Sequence, residues 1–399
     1  MYIFYHYLKA ILANIIYGFP SRRLKIIGVT GTKGKTTTAN FIWAVLNHNG
    51  HKCGLISTAN IRVGEREKLN YYHMTMPGPF IIQQQLRRMV MAKCEYGVIE
   101  ATSEGLKLNR HWGIKFDTAI FTNLSPEHLP SHQNNFDVYR RAKGKLFQNR
   151  PNLILVNADD PYHSYYLHFP AVEKATFSFK NKSDYKAKIV NSSTFELNQE
   201  KYSIKILGAF NLNNALPAVI IGLRLGIKPK DIQKGLQKLV SVPGRMELIP
   251  NSLGLKIIVD YAHEPVSLKE LLTTAQQLKT SQGKIILIVG AEGGGRDPGK
   301  RAPMGKLANQ MADYVVITNV DPYRDNPQTI ADDIAKMVDK KKRLVILDRE
   351  KAIKKALESA QKGDVILITG KGAEQSITIG GQKYPWDDRK VVKRLLNVV

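Results

Sequence analysis

Gly28-Val29-Thr30-Gly31-Thr32-Lys33-Gly34-Lys35-Thr36-Thr37 decides the fold of this 399-residue chain. An apolar run over 25–29 feeds into it, and a helical pattern (TTTANFIWAVL) leaves it. Glycines let the backbone curl until successive N–H groups face one anion, and the helix that follows adds its partial positive charge. Lys35 then reaches the terminal phosphates of a nucleotide, and Thr36 offers a hydroxyl to Mg²⁺. The usual phosphate loop has its first glycine where Val29 stands, so this is a variant loop, with Gly31, Thr32, Lys33, Gly34, Lys35, Thr36 and Thr37 as nucleotide-binding residues. Strand, loop and helix come in the right order, which points to ATP or GTP binding without specifying a reaction.

Outward from the loop, short β-branched runs at 97–100, 118–122 and 153–157 alternate with helical stretches, the pattern of a parallel α/β sheet. Residues 187–207 alternate and are polar, like a small antiparallel insertion. A second alternating series follows at 256–260, 284–289, 314–318, 343–347 and 364–369. Pro243-Gly244 lies between the series, in a stretch without periodicity, and the domain boundary is expected near residue 242. The expected architecture is a helical extension over 1–24, a P-loop parallel-sheet ATPase domain over 25–242, and a second α/β domain over 243–399.

Composition excludes several classes. Hydrophobic residues make up 43%, too many for a largely disordered chain. Two cysteines, Cys53 and Cys94, cannot build a disulfide scaffold or a four-cysteine zinc site. No apolar run reaches the roughly 20 residues of a membrane span. Fifty-nine basic against 34 acidic residues give a net charge of +25, which attracts anions. The charge is spread along the chain, and Lys340-Lys341-Lys342-Arg343 reads as a solvated helix end. A phosphate-rich small substrate therefore fits better than nucleic acid, and a cytoplasmic, reducing compartment is expected. In MYIFYHYLKAILANIIYGF, Leu8, Ile11, Leu12, Ile15 and Ile16 fall at helical spacing. The basic residues come after the apolar stretch, unlike a signal peptide. An amphipathic helix that docks on the protein's own body is the plain reading, and residues 1–19 contacting a membrane surface or partner is the other.

Glu100 ends an apolar strand (YGVIE), where a carboxylate needs a counter-charge. His128 lies just past another strand. Ligands of parallel sheets bind at the strands' C-terminal edge, so a hydroxyl from Thr36, a carboxylate and an imidazole there suit a divalent cation beside the nucleotide.

These residues carry a resemblance. The run 28–38, Glu100-Ala101-Thr102-Ser103, Phe121-Thr122-Asn123-Leu124 through His128, and Tyr139-Arg140-Arg141-Ala142-Lys143 are similar to motifs of the Mur ligase family. So are GAFNLNNA (208–215), PGRME (243–247), VDYAH (259–263), GAEGGGRDPGKR (290–301) and GKGAE (370–374). The resemblance covers about residues 25–389 and is nearest to the members that add the third residue of the peptidoglycan stem peptide. It implies a Rossmann-like C-terminal domain and an ATP-dependent amide-bond ligase. ATP phosphorylates a muramoyl-peptide carboxylate, and an amino acid's amine captures the acyl phosphate. It also implies Lys35, His128 and Lys143 as catalytic residues, and Thr36, Glu100, His128 and Lys143 around Mg²⁺, with Lys143 carbamylated. Asn211 and Asn214 fall near adenine, and Arg245 and Asp260 at the phosphates and ribose, gripping ATP as two domains close. His263 is either part of this site or a hydrogen-bonded structural histidine. Thr75, Thr102, Arg110, Tyr323, Arg324, Gly370 and Glu374 are implied as substrate contacts.

The sequence departs from the family at three places. About 24 residues precede the nucleotide strand, too few for a UDP-binding domain. The paired-threonine motif reads Thr75-Met76-Pro77, with one hydroxyl lost. The four residues matching the motif that reads diaminopimelate are Val320-Asp321-Pro322-Tyr323, so a tyrosine replaces the arginine that pairs with a distal carboxylate. Arg324 is adjacent. Ala373 replaces the family's histidine next to Glu374. A different carboxylate acceptor, of folylpolyglutamate type or lipid-linked, stays open, as does a non-catalytic nucleotide-binding module.

Overall fold

The computed structural model describes residues 2–72, 74–127 and 129–397, the side chains of residues 2 and 3 excepted. The chain forms two compact units, Met1–Val240 and Ser241–Val399.

The first unit begins with α1 (Tyr2–Tyr17), then β1 (Lys25–Thr30), α2 (Lys35–His48), and a meander of β2 (Cys53–Ile56), β3 (Asn60–Val63) and β4 (Arg66–Leu69). After α3 (Pro79–Met91) come β5 (Tyr96–Glu100), α4 (Ser103–Lys107), β6 (Phe116–Phe121), α5 (Phe136–Gly144), β7 (Leu153–Asn157), α6 (His163–Leu167), β8 (Glu173–Ser178) and β9 (Tyr185–Lys186). Among the described residues these strands make one sheet in the order β4-β3-β2-β5-β1-β6-β7-β8-β9. It is parallel from β2 to β9, with β3 and β4 antiparallel at the edge. The chain leaves β1 toward β2 and later returns past it to β6. That reversal sets the C-terminal ends of β5, β1 and β6 side by side, with Val29 opposite Glu100 and Thr30 opposite Phe121. Open α/β sheets bind ligands at such a reversal.

The polar stretch near 187–207 is the expected antiparallel insertion, built from β10 (Lys188–Asn191), β11 (Thr194–Leu197) and β12 (Glu200–Ser203). Helices α7 (Asn211–Arg224) and α8 (Pro229–Lys238) close the unit by packing on α2. The β3–β4 hairpin was not legible, because NIRV offers only two alternating apolar residues and REKL carries three consecutive charges.

Helix α1 packs on α3, but not by the stripe its spacing suggests. Its buried side is Ala10, Ala13 and Asn14, while Leu8, Leu12, Ile15 and Ile16 are each about half exposed. Small side chains permit close approach, and the Asn14 amide donates to the carbonyls of Ala10 and Trp112, at 2.8 Å each. Tyr7 meets the Trp112 ring edge-on. A buried amide that gains two partners anchors the helix better than a larger apolar side chain with no cavity to fill.

The second unit contains β13 (Glu247–Ile249), β14 (Lys256–Asp260), α9 (Pro265–Leu278), β15 (Ile285–Val289), α10 (Arg301–Met311), β16 (Tyr314–Ile317), α11 (Pro327–Ala335), β17 (Arg343–Val345), α12 (Arg349–Ser359), β18 (Val365–Thr369), the hairpin β19 (Ser376–Ile379) and β20 (Gln382–Pro385), and α13 (Asp388–Leu396). Its main sheet runs β13-β14-β18-β15-β16-β17, parallel except at β13. This is an open, Rossmann-like sheet, and β15 and β18 are buried along their whole length. Arg349, almost wholly buried, forks onto Asp388 at 2.8 and 2.7 Å and donates to the carbonyls of Asn319 and Thr369. It thereby fixes the loops that leave β16 and β18.

Candidate active site

In the first unit the phosphate loop is held from outside. The Thr32 N–H donates to the Asn123 carbonyl at 2.8 Å, and the Lys33 N–H donates to Asn123 Oδ1 at 2.8 Å. Thr122 Oγ1 and Asn123 Nδ2 return bonds to the Lys33 carbonyl. Thr32 Oγ1 lies 3.0 Å from the Tyr139 hydroxyl and accepts from the Ser125 N–H. The loop after β6 thus shapes the first half of the phosphate loop and takes up the N–H groups of Thr32 and Lys33. Anion binding is left to the later part, where Gly34 opens α2 without a side-chain cap and Thr36 and Thr37 lie buried in its first turn. The N-terminus of a helix favours an anion.

Gly34 has φ 80°, and a Cβ there would stand 2.1 Å from Asn214 Oδ1. That closeness brings α7 to the loop: Asn214 Nδ2 donates to Asn211 Oδ1 at 2.7 Å, and Asn211 Nδ2 donates to the Leu207 carbonyl. Asn214 therefore adjoins the loop with Asn211 behind it, although no local sequence pattern connects them to Lys33. Lys35 Nζ reaches back to the Thr32 carbonyl at 2.8 Å. Lys33 pairs with Glu127 at 3.0 Å.

Glu100 is 2% exposed. Its Oε2 accepts from Thr36 Oγ1 at 2.9 Å, from the Thr58 N–H at 2.8 Å and from Thr58 Oγ1 at 2.9 Å. Three donors on one oxygen offset the desolvation of a buried carboxylate. Thr58 was not anticipated. It sits on the turn between β2 and β3, and no motif marked it. Its single proton goes to Glu100, so Thr75, 2.8 Å from Thr58 Oγ1, donates to it. A second hydroxyl beside Thr75 is therefore present, supplied by Thr58 rather than by position 76. Thr102 caps α4, accepting from the Gly105 N–H, and Arg110 donates to the Met76 carbonyl at 2.6 Å.

Lys143 lies inside, 2% exposed, on α5. Its Nζ donates to the Gly31 carbonyl at 2.7 Å and stands 4.5 Å from the Tyr139 ring centroid. Burial, then the charge of Lys35, push its pKa well below the ordinary lysine range, and the opposing fields of Glu127 and Glu100 do not restore it. The reading of Lys143 as a solvated lysine, which its sequence alone allows, is thereby replaced. His128 lies outside the described residues.

Thr58→Val tests the Glu100 cluster. The variant keeps the N–H bond and loses the hydroxyl, so a stability loss of about 1 kcal/mol is expected in a denaturant melt. Loss of a supporting partner is expected to raise the magnesium concentration for half-maximal ATP turnover about tenfold. An unchanged magnesium curve would remove Thr58 from this account.

In the second unit, Asp260 ends β14 and its two oxygens accept from the N–H groups of Met246 and Ala262, both at 2.7 Å. The Arg245 guanidinium lies 4.5 Å from the Tyr261 ring centroid. Gly244, φ 61°, allows this turn to press on the loop after β18, since a Cβ would meet the Ala373 nitrogen at 2.0 Å. His263 Nδ1 lies 2.7 Å from the Tyr261 carbonyl, a backbone partner. After β18, Gly370 (φ 100°) leads to Lys371, fully buried between Asp321 and Glu374 at 2.5 Å each. Burial raises the Glu374 carboxyl to about 6 against the pull of Lys371. Lys371, which lies in GKGAE but was given no role there, is thus the partner of Glu374, a residue implied as a substrate contact. Tyr323, with φ 54°, donates its N–H to the Thr378 carbonyl, and its phenol oxygen accepts from Arg296. The Arg324 side chain runs along Gly381.

Two family models match the chain, the Mur ligase middle domain over residues 29–222 and the glutamate ligase domain of Mur ligases over residues 244–372. The chain is 38% identical over 397 residues to UDP-N-acetylmuramoyl-L-alanyl-D-glutamate–2,6-diaminopimelate ligase of Clostridium tetani, spanning 97% of this chain and 80% of that protein. The protein of the same name from Parabacteroides distasonis is 38% identical over 398 residues, spanning 97% and 81%. A solved structure bearing this ligase name superposes with a TM-score of 0.63 at 29% identity, covering 94% of this chain and 78% of that one. Folylpolyglutamate synthase of Mycobacterium tuberculosis, solved with ADP and AMPPCP, shares the fold, with a TM-score of 0.73 at 16% identity and coverage of 91% and 92%.

Proposed function

The chain belongs to the Mur ligase family, and from that membership we propose that it joins an amino acid to the carboxylate of a muramoyl peptide at the site around Lys35, Glu100 and Lys143. It is an ATP-dependent ligase that forms carbon–nitrogen bonds. The observation that carries the site reading is the buried Lys143 ammonium position on the phosphate loop's own carbonyl, in the field of Lys35 and Glu100.

The reaction brings two anions together. An acceptor carboxylate oxygen attacks the γ-phosphorus, the β–γ bridging bond breaks, and an acyl phosphate and ADP result. The amino acid's amine then attacks the acyl carbon, phosphate leaves with the bonding electron pair, and the nitrogen gives up a proton. Lys35 and the first turn of α2 hold the phosphates and reduce their repulsion of the acceptor. The donor set of a threonine hydroxyl and a carboxylate suits a hard cation. Thr36 and Glu100 would hold Mg²⁺, which would supply charge neutralisation to the phosphates. A carbamylated Lys143 would add an anionic oxygen ligand, and by resemblance His128 would support a second magnesium site. Asn211 and Asn214 serve the adenine, and Arg245 and Asp260 the phosphates and ribose.

Thr75 and Arg110 are assigned to the acceptor. Glu374, with Lys371 beside it, is assigned to an amino acid that carries a second amine. The relatives' name specifies diaminopimelate; here Tyr323 offers no fixed positive charge to a distal carboxylate, and a diamino acid without one is the expected substrate. The test uses purified chain, ATP and Mg²⁺ with panels of muramoyl peptides, other carboxylates and amino acids, reading ADP release and product mass. A product one amino acid heavier, from a muramoyl peptide and lysine or ornithine, supports the proposal. ADP release that no muramoyl peptide stimulates would overturn it.

A further inference from the structure

We propose that the exposed face of α1 lies in the surface of an anionic lipid bilayer. Phe4, Tyr5, Leu8, Leu12, Ile15 and Ile16 are between 47% and 63% exposed and recur at helical spacing on the side of α1 turned away from Ala10, Ala13 and Asn14. A contiguous apolar face of this kind marks an interaction surface. With 16 residues and a rise of ~1.5 Å each, the helix is shorter than the roughly 30 Å hydrocarbon layer. No helix among the described residues is long and apolar enough to cross a membrane. The helix therefore lies in the plane of the surface.

Charge identifies the occupant. Residues 1–64 contain no aspartate or glutamate, and Glu65 is the first acid in the chain. Lys9 stands 4.2 Å from the Tyr5 ring centroid, on the helix itself, and Arg22, Arg23 and Lys25 are exposed just beyond its C-terminal end. An apolar stripe edged by lysine, arginine and tyrosine fits an anionic headgroup layer over acyl chains. A second copy of this chain fits poorly, because pairing two such faces sets these cations against their equivalents in a molecule of charge +25.

The docked helix also reaches the first unit's acceptor side. His6 feels the charge of Arg110, and Asn14 and Tyr7 hold Trp112. A chain seated by α1 would present that side close to the lipid surface. The proposal itself does not depend on the ligase reading, since lipid binding is measured without substrates.

The experiment is sedimentation of the full chain with vesicles of phosphatidylcholine alone and of phosphatidylcholine with phosphatidylglycerol, at low and high salt, with light scattering for solution mass. Expected are binding to the anionic vesicles, weakening with salt, and a loss of about tenfold or more in Leu12→Asp/Ile16→Asp. Arg22→Gln/Arg23→Gln is expected to weaken binding less and to flatten its salt dependence. The substituted side chains are exposed, and a circular dichroism melt checks that the variants fold. No binding to anionic vesicles overturns the proposal. So does binding that Leu12→Asp/Ile16→Asp leaves intact, which would reflect general basic attraction. A wild-type dimer that the same variant dissociates overturns it in favour of a second copy.

Discussion

Lys35→Ala is expected to lower acceptor-dependent ADP release by about a thousandfold, the scale of losing a charged donor aimed at developing phosphate charge. The side chain is half-buried and its Nζ donates to the Thr32 carbonyl, in the same loop. A bond from a charged donor contributes about 1.5–3 kcal/mol to stability, so the melting temperature should fall by no more than about 10 °C. The loop's shape is secured independently by Asn123, Thr122 and Tyr139, and so the variant separates chemistry from folding. Steady-state ADP release with a saturating acceptor, beside a thermal melt, is the measurement. A rate near that of the unaltered chain would remove the phosphate loop from the mechanism.

Lys143→Ala is expected to lose about a hundredfold or more in turnover and to recover part of it when formate or acetate is added. The physical case rests on the low pKa of Lys143, to which burial contributes most, followed by Lys35. A neutral amine can add to carbon dioxide, forming an N–C bond and releasing a proton to solvent. The carbamate is then an anion placed between cations. An alanine leaves a cavity of carboxylate size in which a short acid can stand in for the lost group. Because truncating a buried side chain costs about 2–5 kcal/mol, Lys143→Met serves as a better-packed control that a small acid should not rescue. Absence of rescue in Lys143→Ala, with the fold intact, would overturn the carbamate assignment and leave the ligase reading standing.

The phosphate loop was legible because its chemistry is local: glycines, a lysine and a threonine at fixed spacing between a strand and a helix. Strands β1, β5, β6, β7 and β14 to β18 were legible too, most of them as apolar runs of buried strands, whereas the parallel β2, β8 and β9 were not read. The hairpin of β3 and β4 was not legible either, because β4 at the exposed edge is free to be polar and β3 is too short to show a pattern. Thr58 and Lys371 were missed for a different reason. A threonine on a turn and a lysine in a glycine-rich loop each have an ordinary solvated reading, and only the neighbouring strands' loops convert them into a donor to Glu100 and a counter-ion for Asp321 and Glu374. Helix α1 shows the converse: its periodicity was legible, but which face docks was decided by an amide finding two carbonyls.

By itself, then, the sequence determined most of the parallel strands and pointed to a phosphate-binding loop, because backbone curvature and helix polarity follow from residues adjacent in the chain. Tertiary structure alone decided the downward pKa shift of Lys143, the partners of Glu100 and the exposed side of α1. Desolvation and hydrogen bonding across the sheet's C-terminal edge depend on residues that are far apart in sequence and meet only when β5, β1 and β6 align.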